Sequence, residues 1–80
     1  MSVYCNLLSA ENGIARYSIG ADTGDITGVL QIDANNNEYS IEKEPDRIPL
    51  YMRHVDSMMH RHASLFADGD FPKTLSHEIG

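Results

Sequence analysis

Apolar and polar residues alternate along the first half of the chain, and a helical period replaces this alternation in the second half. Four short segments alternate: residues 3–8, 14–19, 26–33 and 38–43. A period of two is typical of β-strands that bury one face. Asn12-Gly13 and Asn35-Asn36-Asn37 separate neighbouring segments and are typical turn sequences. The short connections predict an antiparallel meander of three to four strands.

The helical period covers residues 46–68. With Val55 set at zero and each residue advancing 100°, an apolar stripe falls within about 60° of that direction. Its members are Ile48, Tyr51, Met52, Val55, Met58, Met59 and Phe66. Asp46 is a suitable N-cap, Pro49 is tolerated in a first turn, and Gly69 suits the position just after a helix. We therefore predict one long C-terminal helix packed on one face of the sheet.

These elements predict an α+β fold in a single small domain spanning residues 1–80, with strands over about 3–43 and a tail over 70–80. In the tail, Phe71, Leu75 and Ile79 recur every four residues. That spacing fits a short second helix after Pro72. The alternative is a frayed terminus without regular structure.

The alternation also predicts which side chains of the sheet face the helix. They are Val3, Cys5, Leu7, Ala15, Tyr17, Ile19, Ile26, Leu30, Ile32, Tyr39 and Ile41. Gly28 interrupts its strand and indicates a bulge or a close approach of another backbone. Leu8, Ile14, Val29, Leu50 and Leu65 have no place in this core, and a surface cluster of such residues would mark an interface.

Charge divides the chain at the predicted junction of sheet and helix. The net charge is −6, and residues 1–46 contain eight of the twelve acids but only two basic residues, Arg16 and Lys43. Residues 47–80 contain four acids and four basic residues, so that half is neutral. An acidic sheet repels a phosphate backbone, and we expect no nucleic-acid partner.

Composition also bears on location and assembly. Cys5 is the only cysteine, which rules out an internal disulfide and fits a reducing compartment. No segment has the pattern of a signal peptide, and no apolar run reaches the ~20 residues of a membrane span. We expect a cytoplasmic protein that does not enter a membrane. Because a chain of this size has a thin core, we also expect a homodimer, formed through a sheet edge or the uncovered sheet face.

The side of the helix facing away from the apolar stripe gathers basic and polar side chains. They are Arg53, His54, Ser57, His60 and Arg61. On an otherwise acidic chain, this group is a candidate interaction surface for an acidic partner or an anionic ligand.

His62 falls about 20° from the centre of the apolar stripe. One interpretation is a core histidine hydrogen-bonded to a backbone carbonyl or to a tyrosine hydroxyl. The other is a pH-sensitive core contact, because burial disfavours the charged imidazolium and protonation would then oppose packing.

The histidines do not form a metal motif within one chain. His60 and His62 lie about 200° apart on a helix, and His54 lies eight residues from His62. We therefore expect no metal and no other cofactor in the single chain.

The triplet Asp22-Thr23-Gly24 resembles the catalytic turn of the aspartic proteases. The resemblance covers three residues, and the apolar-apolar-glycine segment that braces this turn in the family has no match. We interpret the triplet as an ordinary turn.

Two classes of function fit these observations. The favoured one is a small interaction or regulatory protein that binds a protein partner without catalysis. The alternative is a small ligand- or metal-dependent domain, an enzyme among the options, whose site is completed across a homodimer. His54, His60, His77 and Asp22 are the candidates in that case.

Overall fold

A computed structural model describes residues 2–78 of the chain. The strands are β1 (Ser2–Glu11), β2 (Ile14–Gly20), β3 (Gly28–Asp33), β4 (Glu38–Lys43) and β5 (Thr74–Glu78). The helix, α1, spans Met52–Ala67 and lies between β4 and β5 in the chain. The fold is α+β, as the alternation predicts, with five strands instead of three to four.

The five strands form one antiparallel sheet in the order β4-β3-β2-β1-β5. Strands β1 to β4 make the predicted meander. The turn between β1 and β2 has positive φ at both Asn12 and Gly13, of 54° and 81°, which is typical of a two-residue hairpin turn. A shift in register between Leu7 and Ser9 leaves Leu8 without a cross-strand partner, and its side chain is exposed. This bulge explains why Leu8 has no place in the predicted core.

The tail is a strand, so both of the structures expected for it are wrong over the described residues. Strand β5 pairs with β1 and places Leu75 opposite Cys5, where Leu75 is buried. A spacing of four residues suits one face of a helix, but it also suits one face of a strand because four is a multiple of two. The apolar pattern therefore could not distinguish them, and Ile79 lies outside the described residues.

The helix begins at Met52, six residues later than predicted, and its 16 residues extend about 24 Å. Asp46 does not cap it; its carboxylate lies 3.2 Å from Lys43 Nζ. Tyr51 occupies the N-cap position without a side-chain hydrogen bond to the helix. Pro49 contributes to the delay, because proline disfavours helical geometry at the residue before it.

The other end of the helix is as predicted. Gly69 follows it with a φ of 75°, and its N–H donates to Phe66 O at 3.0 Å. The N–H of Asp70 donates to Leu65 O at 2.9 Å. These two bonds form a Schellman motif, which satisfies carbonyls that the helix leaves unpaired.

The core joins the inner faces of β1, β2, β3 and β5 to four side chains of the helix. The buried members are Val3, Cys5, Ala15, Tyr17, Ile19, Leu30, Ile32, Val55, Met58, Met59, Phe66 and Leu75. Leu7, Tyr39, Ile41, Leu50 and Phe71 pack around them, partly buried. Helix α1 contacts β1 and β5. The helix backbone thus lies nearest to β1 and β5, while Leu30 and Ile32 of β3 are buried in the same core.

Several predicted core positions are wrong. Ile48, Tyr51 and Met52 are 42%, 55% and 43% exposed. The first two lie in a loop that extends to residue 51, and Met52 is the first residue of α1. Ile26 precedes β3 and lies outside the core cluster. Gly28 does mark a close approach, since a Cβ there would lie 2.8 Å from the carbonyl oxygen of Lys43.

The loop before the helix is held by a buried carboxylate that the sequence patterns did not reveal. Asp25 is 1% exposed. Its Oδ2 accepts hydrogen bonds from the backbone N–H groups of Ile48 at 2.7 Å and Arg47 at 3.1 Å, and its Oδ1 accepts one from Thr27 Oγ1 at 3.1 Å. These bonds, led by the one from Ile48, hold the pKa of Asp25 below its usual value against the opposing effect of burial.

Candidate functional site

An open cleft of about 1210 Å³ lies between α1 and the hairpin formed by β3 and β4. It lies where side chains of α1 meet side chains of β3 and β4. Its floor is the edge of the hydrophobic core, formed by Ile32, Met59 and Phe66. Polar side chains from the helix and the hairpin surround this floor.

The helix wall of the cleft repeats with the period of the helix. Arg53, Ser57, His60 and Ser64 line it at intervals of three or four residues, and Ala63 and Ala67 lie beside them. Ser57 Oγ donates to the carbonyl oxygen of Arg53 at 2.9 Å. The wall thus offers a guanidinium, an imidazole and two hydroxyls, interspersed with small exposed apolar surfaces.

A hydrogen bond ties the two walls together. The Tyr39 hydroxyl on β4 donates to the Asp56 carboxylate on α1, and both residues line the cleft. Partial burial, and then the bond to Asp56 and its negative charge, raise the pKa of Tyr39 to about 12. Tyr39 therefore remains a neutral donor at physiological pH.

The hairpin wall is braced by Asp33. Its carboxylate accepts hydrogen bonds from the backbone N–H groups of Asn35 at 3.0 Å and Asn36 at 3.2 Å, and from Asn36 Nδ2 at 2.8 Å. The Asn36 side chain contributes most to holding the pKa of Asp33 below its usual value. Asn35 Nδ2 also donates to the carbonyl oxygen of Asn12 at 2.8 Å, which joins this hairpin to the neighbouring one. An ionised carboxylate thus stands at the cleft within a tightly bonded turn.

The predicted basic stripe is divided by the structure. Arg53, Ser57 and His60 line the cleft. His54 faces a separate recess of about 120 Å³ that Val3, Ala21 and Leu50 also line, and its ring lies 5.6 Å from that of Tyr51. Arg61 is exposed and lines neither. Three of the five predicted residues therefore share one site, together with Asp56 and Tyr39, which the charge pattern did not indicate.

His62 is half-buried at the edge of the core. Its Nδ1 lies 2.9 Å from the carbonyl oxygen of Met58, and its ring lies 6.2 Å from that of Phe66. A carbonyl can only accept, so Nδ1 carries the proton whether the ring is neutral or charged. The hydrogen bond to a backbone carbonyl is the one expected for this position, and the pH-sensitive contact stays a prediction.

The candidates for a shared ligand or metal site are spread over the fold. Asp22 lies in an exposed turn, where its Oδ2 accepts a hydrogen bond from the N–H of Gly24 at 2.8 Å. His77 is half-buried on β5 opposite Val3, and its Nδ1 has no hydrogen-bond partner among residues 2–78. Within that range no three His, Cys, Asp or Glu side chains come together as metal ligands. Asp22-Thr23-Gly24 is a turn, as interpreted from the sequence.

Cys5 is buried in β1, and its Sγ lies 3.8 Å from Met58 Sδ. Burial raises the pKa of its thiol to about 12. The thiol is therefore protonated at physiological pH and acts as a small apolar core group.

Comparison with known proteins assigns no relationship. No family model, no curated protein and no solved structure matches the chain. Across residues 2–78, no helix has both the length and the apolar character needed to cross a membrane.

Proposed function

We propose that this chain is a small interaction protein that acts without catalysis and binds a protein partner in the cleft between α1 and the β3–β4 hairpin. The observation that supports this proposal is the open cleft itself, which places polar side chains of both walls around the edge of the core. An apolar floor inside a polar rim is the usual anatomy of a recognition surface. The expected cytoplasmic location is part of this proposal.

The rim suits a partner that is positioned by polar contacts. Arg53 and His60 offer donors on the helix wall, while Asp33 and Asp56 offer negative charge on both walls. Because Tyr39 and Asp56 are already bonded to each other, one side of the rim is set before a partner arrives. A preformed rim of this kind lowers the entropic cost of binding.

The volume of the cleft supports the alternative class as well. A recess of about 1210 Å³ could receive a small molecule, since such sites are typically concave and partly apolar with a few polar groups. The partner class is favoured because the cleft is open along the helix. Mass spectrometry and elemental analysis of the purified protein distinguish the two: a stoichiometric small molecule or metal favours the alternative.

We also propose self-association through the edge strand β5. The outer sheet face carries the Arg16–Glu42 ion pair, with N–O separation 2.7 Å, and burying it would remove two charges from water. Pairing two copies of β4 would bring the acidic side chains Glu38 and Glu42 close together. Strand β5 has a single acidic residue, Glu78, so pairing two copies of β5 meets less charge repulsion. Sedimentation at high micromolar concentration tests this proposal: a monomer there contradicts it.

Affinity capture from the source lysate with a cleft-filling variant tests the cleft. Ala63 is exposed on the helix wall, so Ala63→Trp fills the cleft and leaves the core intact. Arg61→Trp adds the same side chain to an exposed position outside the cleft. We expect the wild type and Arg61→Trp to retain a stoichiometric partner that Ala63→Trp loses. Equal capture by both variants would contradict the role of the cleft.

A further inference from the structure

We propose that the partner is an extended segment that adds to the sheet along β4 and alternates apolar with basic residues. This inference rests on the proposed binding function and names the partner's conformation and chemistry. Strand β4 is bonded to β3 on one side and lies at the edge of the sheet on the other. An edge strand presents unpaired backbone groups, and recognition by strand addition uses them for main-chain hydrogen bonds.

The two faces of β4 differ in chemistry. Tyr39 and Ile41 point to the helix side and are half-buried, packed against the core. Glu38, Ser40 and Glu42 point to the opposite side and are exposed. Since paired residues on adjacent strands share a face, an added strand places every second side chain beside Tyr39 and Ile41. Those positions call for apolar side chains and the intervening ones call for polar side chains.

Charge decides which polar side chains fit. Glu38 and Glu44 have no cation within salt-bridge distance among residues 2–78, whereas Glu42 is paired with Arg16 and Lys43 with Asp46. The chain as a whole carries a net charge of −6. Lysine or arginine opposite Glu38 and beside Glu44 would be attracted, and acidic residues would be repelled.

The same charges disfavour a second copy of this chain at the β4 edge. A two-fold antiparallel pairing of β4 with itself would bring Glu38 of one copy opposite the Glu42 of the other. Like charges directly opposite each other destabilise a strand pair. The β4 edge is therefore assigned to a basic, extended partner.

Synthetic peptides test this inference with the purified full chain. The probe is a capped six-residue peptide that alternates valine and lysine, matching the six residues of β4. One control peptide replaces lysine with glutamate, and a second carries N-methyl groups at alternate backbone positions. The readout is the change in backbone amide chemical shifts as each peptide is added to millimolar concentration.

We expect the valine–lysine peptide to shift the amides of Glu38–Lys43 and to leave those of Thr74–Glu78 unchanged, while both control peptides bind weakly or not at all. Glu38→Lys should weaken the binding by roughly fivefold, and Glu78→Lys at the opposite edge should leave it unchanged. No shift at millimolar peptide, or equal binding of the N-methylated peptide, overturns the inference. Amides of β4 that shift on dilution of the protein alone would assign the edge to a second copy and overturn it too.

These outcomes are independent of the test of the cleft. If no peptide binds but Ala63→Trp still loses the captured partner, strand addition fails and the cleft function stands. If the valine–lysine peptide binds along β4 while Ala63→Trp retains every partner, the edge is a binding site and the cleft is not.

Discussion

The carboxylate of Asp25 accepts a hydrogen bond from the backbone N–H of Ile48 at 2.7 Å, and this bond anchors the loop that precedes the helix. Asp25 follows β2, and Ile48 lies in the loop between β4 and α1. The bond therefore joins two connections that lie 23 residues apart in the chain. Ile48 lies outside the helix, which begins four residues later at Met52.

Replacing the Asp25 carboxylate should destabilise the fold. In Asp25→Asn the negative charge is lost and one acceptor oxygen becomes a donor group, so a single oxygen remains for the two backbone N–H groups and the Thr27 hydroxyl that the carboxylate now binds. We expect a lower denaturation midpoint in urea for Asp25→Asn than for Asp22→Asn, which changes an exposed carboxylate in the same turn. Equal midpoints would show that the loop is held by other contacts.

Acid should destabilise the protein in a defined range. Asp25 and Asp33 both have pKa values lowered from 3.8 in the folded chain, so folding favours their ionised forms. That contribution is complete above the unfolded-state pKa and is lost as pH falls through the lower folded-state values. Unfolding free energies measured by urea titration should therefore decline below about pH 4, and the decline should be shallower in Asp25→Asn.

Strand β5 should contribute to stability through Leu75. Its side chain is 4% exposed and belongs to the core cluster. We expect Leu75→Ala to lower the free energy of unfolding by about 3 kcal/mol, the usual range for a buried leucine. Ser76→Ala, on the exposed face of the same strand, should change it little. If both substitutions had the same small effect, β5 would not be part of the stable sheet.

The bond between Tyr39 and Asp56 can be observed by titrating the tyrosines. Of the four tyrosines, Tyr17 and Tyr39 have pKa values raised to about 12. In an ultraviolet titration, Asp56→Asn should lower the pKa of Tyr39, because it removes the negative charge beside the hydroxyl. Tyr17→Phe identifies the titration step that belongs to Tyr17, whose pKa is raised mainly by burial. A titration that Asp56→Asn leaves unchanged would mean that the two cleft walls are not joined in solution.

Strands β1 to β4 were predictable because apolar and polar residues alternate along them. Tyr17 and Ile19 alternate with Arg16 and Ser18, and the structure buries the first pair and leaves Arg16 exposed and Ser18 half-buried. The helix C-terminus was equally predictable, since only glycine readily takes the positive φ found at Gly69.

The helix start and the site required information that local patterns do not contain. Ile48, Tyr51 and Met52 fit the apolar stripe, but Ile48 lies in a loop where its backbone N–H donates to the distant Asp25 carboxylate. The stripe of Arg53, Ser57 and His60 was identified, whereas its partners Tyr39 and Asp33 come from a hairpin whose position depends on sheet order. Sheet order in turn depends on β5, whose apolar spacing suits a strand and a helix alike.

The pairing of β1 with β5 sets the order in which this protein can fold. Cys5 and Leu75 face each other although they lie 70 positions apart in the chain, whereas the other three strand pairs, β1–β2, β2–β3 and β3–β4, join consecutive strands. During synthesis the four-stranded meander can form first, with the far edge of β1 open until residues 74–78 have left the ribosome. Closing that edge is the step with the longest loop, and it should be slow relative to the hairpins. A newly made chain that follows this order passes through a stage in which it has two open edges, β4 and β1.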